Sequence, residues 1–212
     1  MLIVVFGVRE PAHADDGKEL AAPLHIREVR MLGSAYWSIV AIGAVVTLAG
    51  FSTAFIVLRA QDVGLALALI PLVFIVMNVI FAIAAYPAGV LSDRYGRSGL
   101  IVAGLVVIIV ADVMLALASG IWVVMCGVAL WGLYMGLTQG VLMALVADTA
   151  PERLRGTAFG MFNLVSGIAM LFASVIAGWL WDQFGAPAPF IASAIFATIA
   201  LAGWTLQRLR SG

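Results

Sequence analysis

The chain has 212 residues, of which 64% are hydrophobic and only 10% charged, and its mean hydropathy is +1.15. A water-soluble domain carries ~25% charged residues and could not hide this much apolar surface, so a soluble fold is excluded. Basic and acidic residues balance at 11 each, which leaves no cationic surplus for nucleic acid. The apolar runs are long and continuous rather than alternating, which predicts an all-α membrane protein and not a barrel.

In chain order, Met1 to Val8 is apolar, and Ala12-His13-Ala14 resembles a signal-peptidase site. No basic region precedes the apolar stretch, so it reads as the end of a preceding membrane helix. Residues 9–33 are polar, with Arg9, Glu10, Asp15, Asp16, Lys18, Glu19, Arg27, Glu28 and Arg30, and are interrupted by Pro11 and Pro23. They are predicted to form a solvated linker with a short helix near His25 to Arg30. Six membrane helices are predicted over 34–57, 66–91, 99–118, 121–147, 157–180 and 187–207, followed by a short tail over 209–212. Arg59 to Asp62 is expected to be a connecting loop, and Pro71 and Pro87 to bend the second span. Cys126 has no partner for an internal disulfide and reads as a small packing residue.

Basic residues fix an expected orientation. Arg9, Lys18, Arg27 and Arg30 precede the first span, Arg94 and Arg97 follow the second, Arg153 and Arg155 follow the fourth, and Arg208 and Arg210 follow the sixth. If the helices alternate, all of these share one side and only Arg59 falls on the other, so the positive-inside rule places both termini in the cytoplasm. Tyr36, Trp37, Tyr95 and Trp204 are expected at cytoplasmic helix ends, and Trp122, Trp179 and Trp181 at external ends.

An internal repeat is visible. Ala88-Gly89-Val90-Leu91-Ser92-Asp93-Arg94-Tyr95-Gly96 and Ala177-Gly178-Trp179-Leu180-Trp181-Asp182-Gln183-Phe184-Gly185 share A-G-x-L-x-D-x-aromatic-G. Three spans separate the copies, which puts them on opposite faces, as in a 3+3 inverted repeat. Arg94 and Arg97 in one copy correspond to Gln183 and Ala186 in the other, a difference the positive-inside rule selects. The plain alternative is that glycine and aspartate simply end helices.

The stretch Gly89-Val90-Leu91-Ser92-Asp93-Arg94-Tyr95-Gly96-Arg97 resembles the signature loop of the major facilitator superfamily, which joins the second and third helices of each six-helix half. The match lies in Gly89, Leu91, Asp93, Arg94, Gly96 and Arg97, while Ser98 stands where a further basic residue is common. Asp148 to Thr157, with Ala158-Phe159-Gly160, is similar to the loop between that family's tenth and eleventh helices. The resemblance implies one half of a major facilitator fold, with the six spans as helices seven to twelve and residues 9–33 as the central loop. It also implies that Asp93, Arg97 and Asp148, flanked by Arg153 and Arg155, form a cytoplasmic charge cluster that latches one conformation. The alternative is that these charges only terminate helices and set topology.

By the same resemblance, the first and fourth spans line a substrate cavity, which makes Ser38, Thr47, Ser52, Thr53, Tyr134, Thr138 and Gln139 its candidate residues. Small hydroxyls also satisfy themselves on their own helix. Gly132, Gly136 and Gly140 form a stripe suited to close helix packing. Asp112 is the one ionisable residue deep in a span and is the candidate proton site. Asn78 and Asn163 are expected to bond between helices.

Neither a metal cluster, a nucleotide-binding loop nor a nucleophile–base pair appears, so no cofactor and no enzyme activity are expected. The expectation is a C-terminal half of a proton-coupled secondary transporter that exports a small solute by alternating access in the inner membrane. Its partners are a small-molecule substrate, membrane lipid, and a missing N-terminal half or a second copy. The alternatives are a non-transporting membrane scaffold and a homodimeric half-transporter.

Overall fold

The computed structural model describes residue 29 and residues 31–211, apart from the side chains of Asp93, Tyr95 and residues 206–211. The apolar segment over 1–8, most of the linker, its helix near His25, the side chains of Arg208 and Arg210 and the end of the tail lie outside the described residues. Long apolar runs become helices because in lipid every backbone N–H and carbonyl must be satisfied within its own segment. The helices are α1 (Ser34–Ala49), α2 (Ala54–Asp62), α3 (Ile70–Tyr95), α4 (Arg97–Ala116), α5 (Ile121–Thr149), α6 (Arg155–Phe184) and α7 (Ala188–Ser211). Short 3-10 turns at Leu67–Leu69 and Glu152–Leu154 lead into α3 and α6. Together they make six segments long and apolar enough to cross a membrane.

The first of these, Ser34–Asp62, is two helices. The helix ends at Ala49 and resumes at Ala54, leaving Gly50, Phe51, Ser52 and Thr53 unwound between them. It also runs past the expected end at 57, and Arg59 to Asp62 is helical rather than a loop. Arg59 is only 6% exposed. Its guanidinium donates to the carbonyls of Leu115 (2.9 Å), Ala116 (3.2 Å) and Ala118 (2.8 Å) and pairs with Asp62. Those carbonyls lie at the C-terminal end of α4, where helices leave acceptors unfilled and cations are favoured. Arg59 is therefore a helix cap from a neighbouring segment.

Close packing is built on glycine. A Cβ on Gly132 would meet the Met77 carbonyl oxygen at 2.3 Å, and one on Gly136 would meet the Ala84 Cβ at 2.7 Å, so α3 and α5 touch backbone to backbone. Gly140 has nothing within 4 Å, so the packing stripe stops one turn earlier than its spacing suggests. Gly104 and Gly127 admit Thr138 and Leu115 between α4 and α5. Gly43 admits the Phe162 ring between α1 and α6.

The contacts repeat under exchange of the first three spans with the last three. α3 packs on α5 as α6 packs on α1, α4 on α5 as α7 on α1, and α3 on α4 as α6 on α7, while the α4–α7 contact maps onto itself. The local geometry repeats too. Gly96 (φ +87) and Gly185 (φ +84) end α3 and α6 in a conformation that L side chains rarely adopt. Their N–H groups return to Ser92 and Trp181 at 3.1 and 2.9 Å. Ala88 and Ala177, the first positions of the two copies, are both buried. The fold is a six-helix inverted repeat.

Several smaller expectations are corrected. Tyr36 lies at the expected helix end, in the first turn of α1, but faces inward. It is fully buried and donates to the Ala158 carbonyl at 2.8 Å, tying α1 to α6. Trp204 is buried as well, whereas Trp122 and Trp179 are exposed. Pro71 lies in the first turn of α3, where its missing N–H costs nothing, and only Pro87 is inside the helix. Asn78 donates to Phe74 on its own helix at 2.8 Å and bridges nothing. Cys126 is exposed on α5 rather than packed.

Candidate substrate cavity and charged face

One large concavity, about 1210 Å³, opens between α1, the unwound turn, α3, α5 and α6. All four residues of the turn line it. Irregular backbone at membrane depth is tolerated where it faces protein or a cavity, because its freed polar groups need partners. Phe51 in the turn stacks edge-on with Phe190 (5.4 Å) and lies 5.8 Å from the Trp131 ring, which in turn contacts Tyr134 at 6.0 Å. None of the lining residues is charged.

Of the candidate cavity residues, Thr47, Ser52, Thr53, Tyr134, Thr138 and Gln139 are at this wall. Ser38 is not among them and donates to the Ser34 carbonyl at 3.0 Å. Thr47 and Thr138 spend their protons on Gly43 and Tyr134 within their own helices, both at 2.8 Å. The Tyr134 hydroxyl reaches the Val46 carbonyl only at 3.5 Å, long for a hydroxyl bond, and so keeps its proton for another acceptor. Sequence reasoning missed the α6 wall. Asn163, Ser166, Gly167, Met170 and Ser174 line it at spacings of three, one, three and four, a helical stripe that could have been read. Asn163 lies on this stripe.

Asp112 lies behind the wall. It is wholly buried in α4 and accepts from Trp131 Nε1 at 3.1 Å. Its other oxygen is in hydrogen-bond contact with the Ser193 hydroxyl of α7.

At the end of the bundle where α3 meets α4, Arg97 and Asp148 form an ion pair between the start of α4 and the end of α5. Each charge opposes the dipole of its own helix, a cation at an N-terminus and an anion at a C-terminus. Their pairing offsets both penalties. Arg94, Arg153 and Arg155 are at the same end, and Arg155 reaches Glu152 at 3.8 Å. Gly89 lines the cavity and Leu91 is exposed. The Asp93 side chain lies outside the described residues. No group of metal-binding side chains occurs among the described residues.

Residues 37–211 match the family model of the Major Facilitator Superfamily. The chain is 34% identical over 146 residues to the uncharacterized MFS-type transporter MJ1317 of Methanocaldococcus jannaschii, covering 66% of this chain and 37% of that protein. It is 37% identical over 127 residues to the inner membrane transport protein YajR of Escherichia coli, covering 59% of this chain and 28% of that protein. The chain thus spans about a third of the length of these relatives. Its fold matches the crystal structure of the POT family transporter PepTSo with a TM-score of 0.67 at 21% identity, over 83% of this chain and 37% of that one. Six apolar helices, the repeated glycine turns and these matches lead to one conclusion: the chain is a multi-pass membrane protein of the Major Facilitator Superfamily.

Proposed function

We propose that the chain is the C-terminal six-helix half of a proton-driven secondary transporter that exports a small, uncharged or weakly polar solute by alternating access. The observation that carries this reading is the uncharged concavity walled by the unwound turn and by α5. Aromatic rings and methionines supply apolar contact, and a few hydroxyls and amides, including Tyr134, Gln139 and Asn163, fix orientation, the usual composition of a small-molecule site. A lipophilic solute that crosses membranes unaided is one a cell gains by expelling, which favours export. The cluster of Asp93, Arg97 and Asp148 acts as the latch of one conformation, and the bias of basic residues supports cytoplasmic termini in the inner membrane.

Alternating access needs two bodies moving about a site between them, and this reading assigns the open side of the concavity to the second body. The test is reconstitution of residues 1–212 in proteoliposomes, beside a version extended by any in-frame upstream spans. Uptake of lipophilic fluorescent dyes is followed under an imposed proton gradient. Flux is expected only from the extended protein. Equal flux from both would replace the half-transporter with a homodimer, and flux from neither would favour a scaffold.

A further inference from the structure

Among the described residues, Asp112 forms no ion pair. Arg59 of α2 is engaged with Asp62 and three carbonyls, Arg97 of α4 and Asp148 of α5 pair with each other at the far end of the bundle, and the nearby titratable group is the Tyr134 phenol of α5. Two neighbours tie Asp112 to the cavity and to the end of α1 beside it. Trp131, which donates to it, is a wall residue. Ser193, on its other side, also contacts the backbone carbonyl of Ala49, the last residue of α1 before the unwound turn. In an unbroken helix that carbonyl would receive the N–H of Thr53. The break takes that donor away, and Ser193 replaces it.

Proton counting decides the state of this group. A serine hydroxyl has one proton to give, and a backbone carbonyl can only accept. The Ser193 proton therefore goes to Ala49, and the contact between Ser193 Oγ and Asp112 Oδ2 requires a second proton, which the carboxyl must carry. An ionised Asp112 would leave two acceptors competing for one hydrogen in a buried site, where an unpaired acceptor is costly. We propose that Asp112 is a neutral acid that donates through Ser193 to the Ala49 carbonyl, and that it is the positioning residue for both the unwound turn and the Trp131 wall. Its influence on cavity shape rests on the transporter reading. Its protonation does not.

Asparagine reproduces this arrangement, since its oxygen accepts from Trp131 and its amide nitrogen donates to Ser193. The first measurement is the infrared difference between the wild-type chain and Asp112→Asn in lipid at neutral pH. A carbonyl band of a protonated carboxyl, shifted by deuterium oxide and absent in the variant, is expected. Carboxylate bands in its place overturn the proposal. The second places Ser52→Cys in the turn, in a Cys126→Ala background, and measures its reaction rate with a maleimide. Asp112→Asn is expected to leave the rate within about twofold, and Ser193→Ala to change it about tenfold, the scale of one buried hydrogen bond. A rate unmoved by Ser193→Ala, or moved as much by Asp112→Asn, overturns the relay. Neither measurement needs flux, so inert vesicles with these results count against the transporter reading alone.

Discussion

Arg59→Ala removes the donor to three carbonyls that close α4 and is expected to cost about 2–3 kcal/mol, read as a lower midpoint of unfolding in detergent. Arg59→Lys is expected to recover only part, because an ammonium cannot present the planar fork that spans three acceptors. A midpoint unchanged by the alanine would mean water satisfies that helix end. The Arg97–Asp148 pair behaves differently. It is partly exposed, so Asp148→Asn is expected to cost under about 1 kcal/mol of stability. Under the latch reading the same change impairs transport severalfold in the extended protein, and the charge swap Arg97→Asp with Asp148→Arg restores part of it. Full transport by Asp148→Asn would leave the pair as a topology marker.

Helix contacts turn on which glycine is touched. Gly132→Ala drives a methyl into the Met77 carbonyl, which cannot move aside as a side chain would, and is expected to destabilise by about 1–3 kcal/mol. Gly140→Ala meets open space and is expected to stay within about 0.5 kcal/mol in the same unfolding assay. Spacing alone could not separate the two, since both lie on one stripe. The six spans and the glycine turns were legible because hydropathy and conformational freedom are local properties of residues. The unwound turn was not, because Gly50-Phe51-Ser52-Thr53 reads as apolar helix until Ser193 is seen on the Ala49 carbonyl before it and a cavity beside it. Arg59 looked like loop because a lone cation after an apolar run usually is one, and the carbonyls it caps lie more than fifty residues away. Ser193 gave no signal by itself. It matters through Asp112 and Ala49, two residues on other helices.

On the scale of the whole bundle, α3 and α6 keep much of their apolar surface exposed, including Ile75, Ile83, Leu164, Leu171 and Val175. These are the repeat-related second and fifth spans, so the surface left for lipid or another body follows the internal symmetry. The orientation is checked by labelling Gln183→Cys and Glu152→Cys in a Cys126→Ser background with an impermeant maleimide. Reagent outside the cell is expected to modify position 183 and spare 152, both of which are exposed. The opposite pattern would invert the assignment. Most of the helix pairings and both glycine turns are shared by the two halves, so the repeated framework by itself gives little distinction between up and down. Under the proposed orientation, which way the bundle enters the bilayer is set by a handful of arginines at its rims, such as Arg94 and Arg97 against Gln183 and Ala186. Moving that small electrical bias from one rim to the other is expected to favour insertion of the same helices upside down.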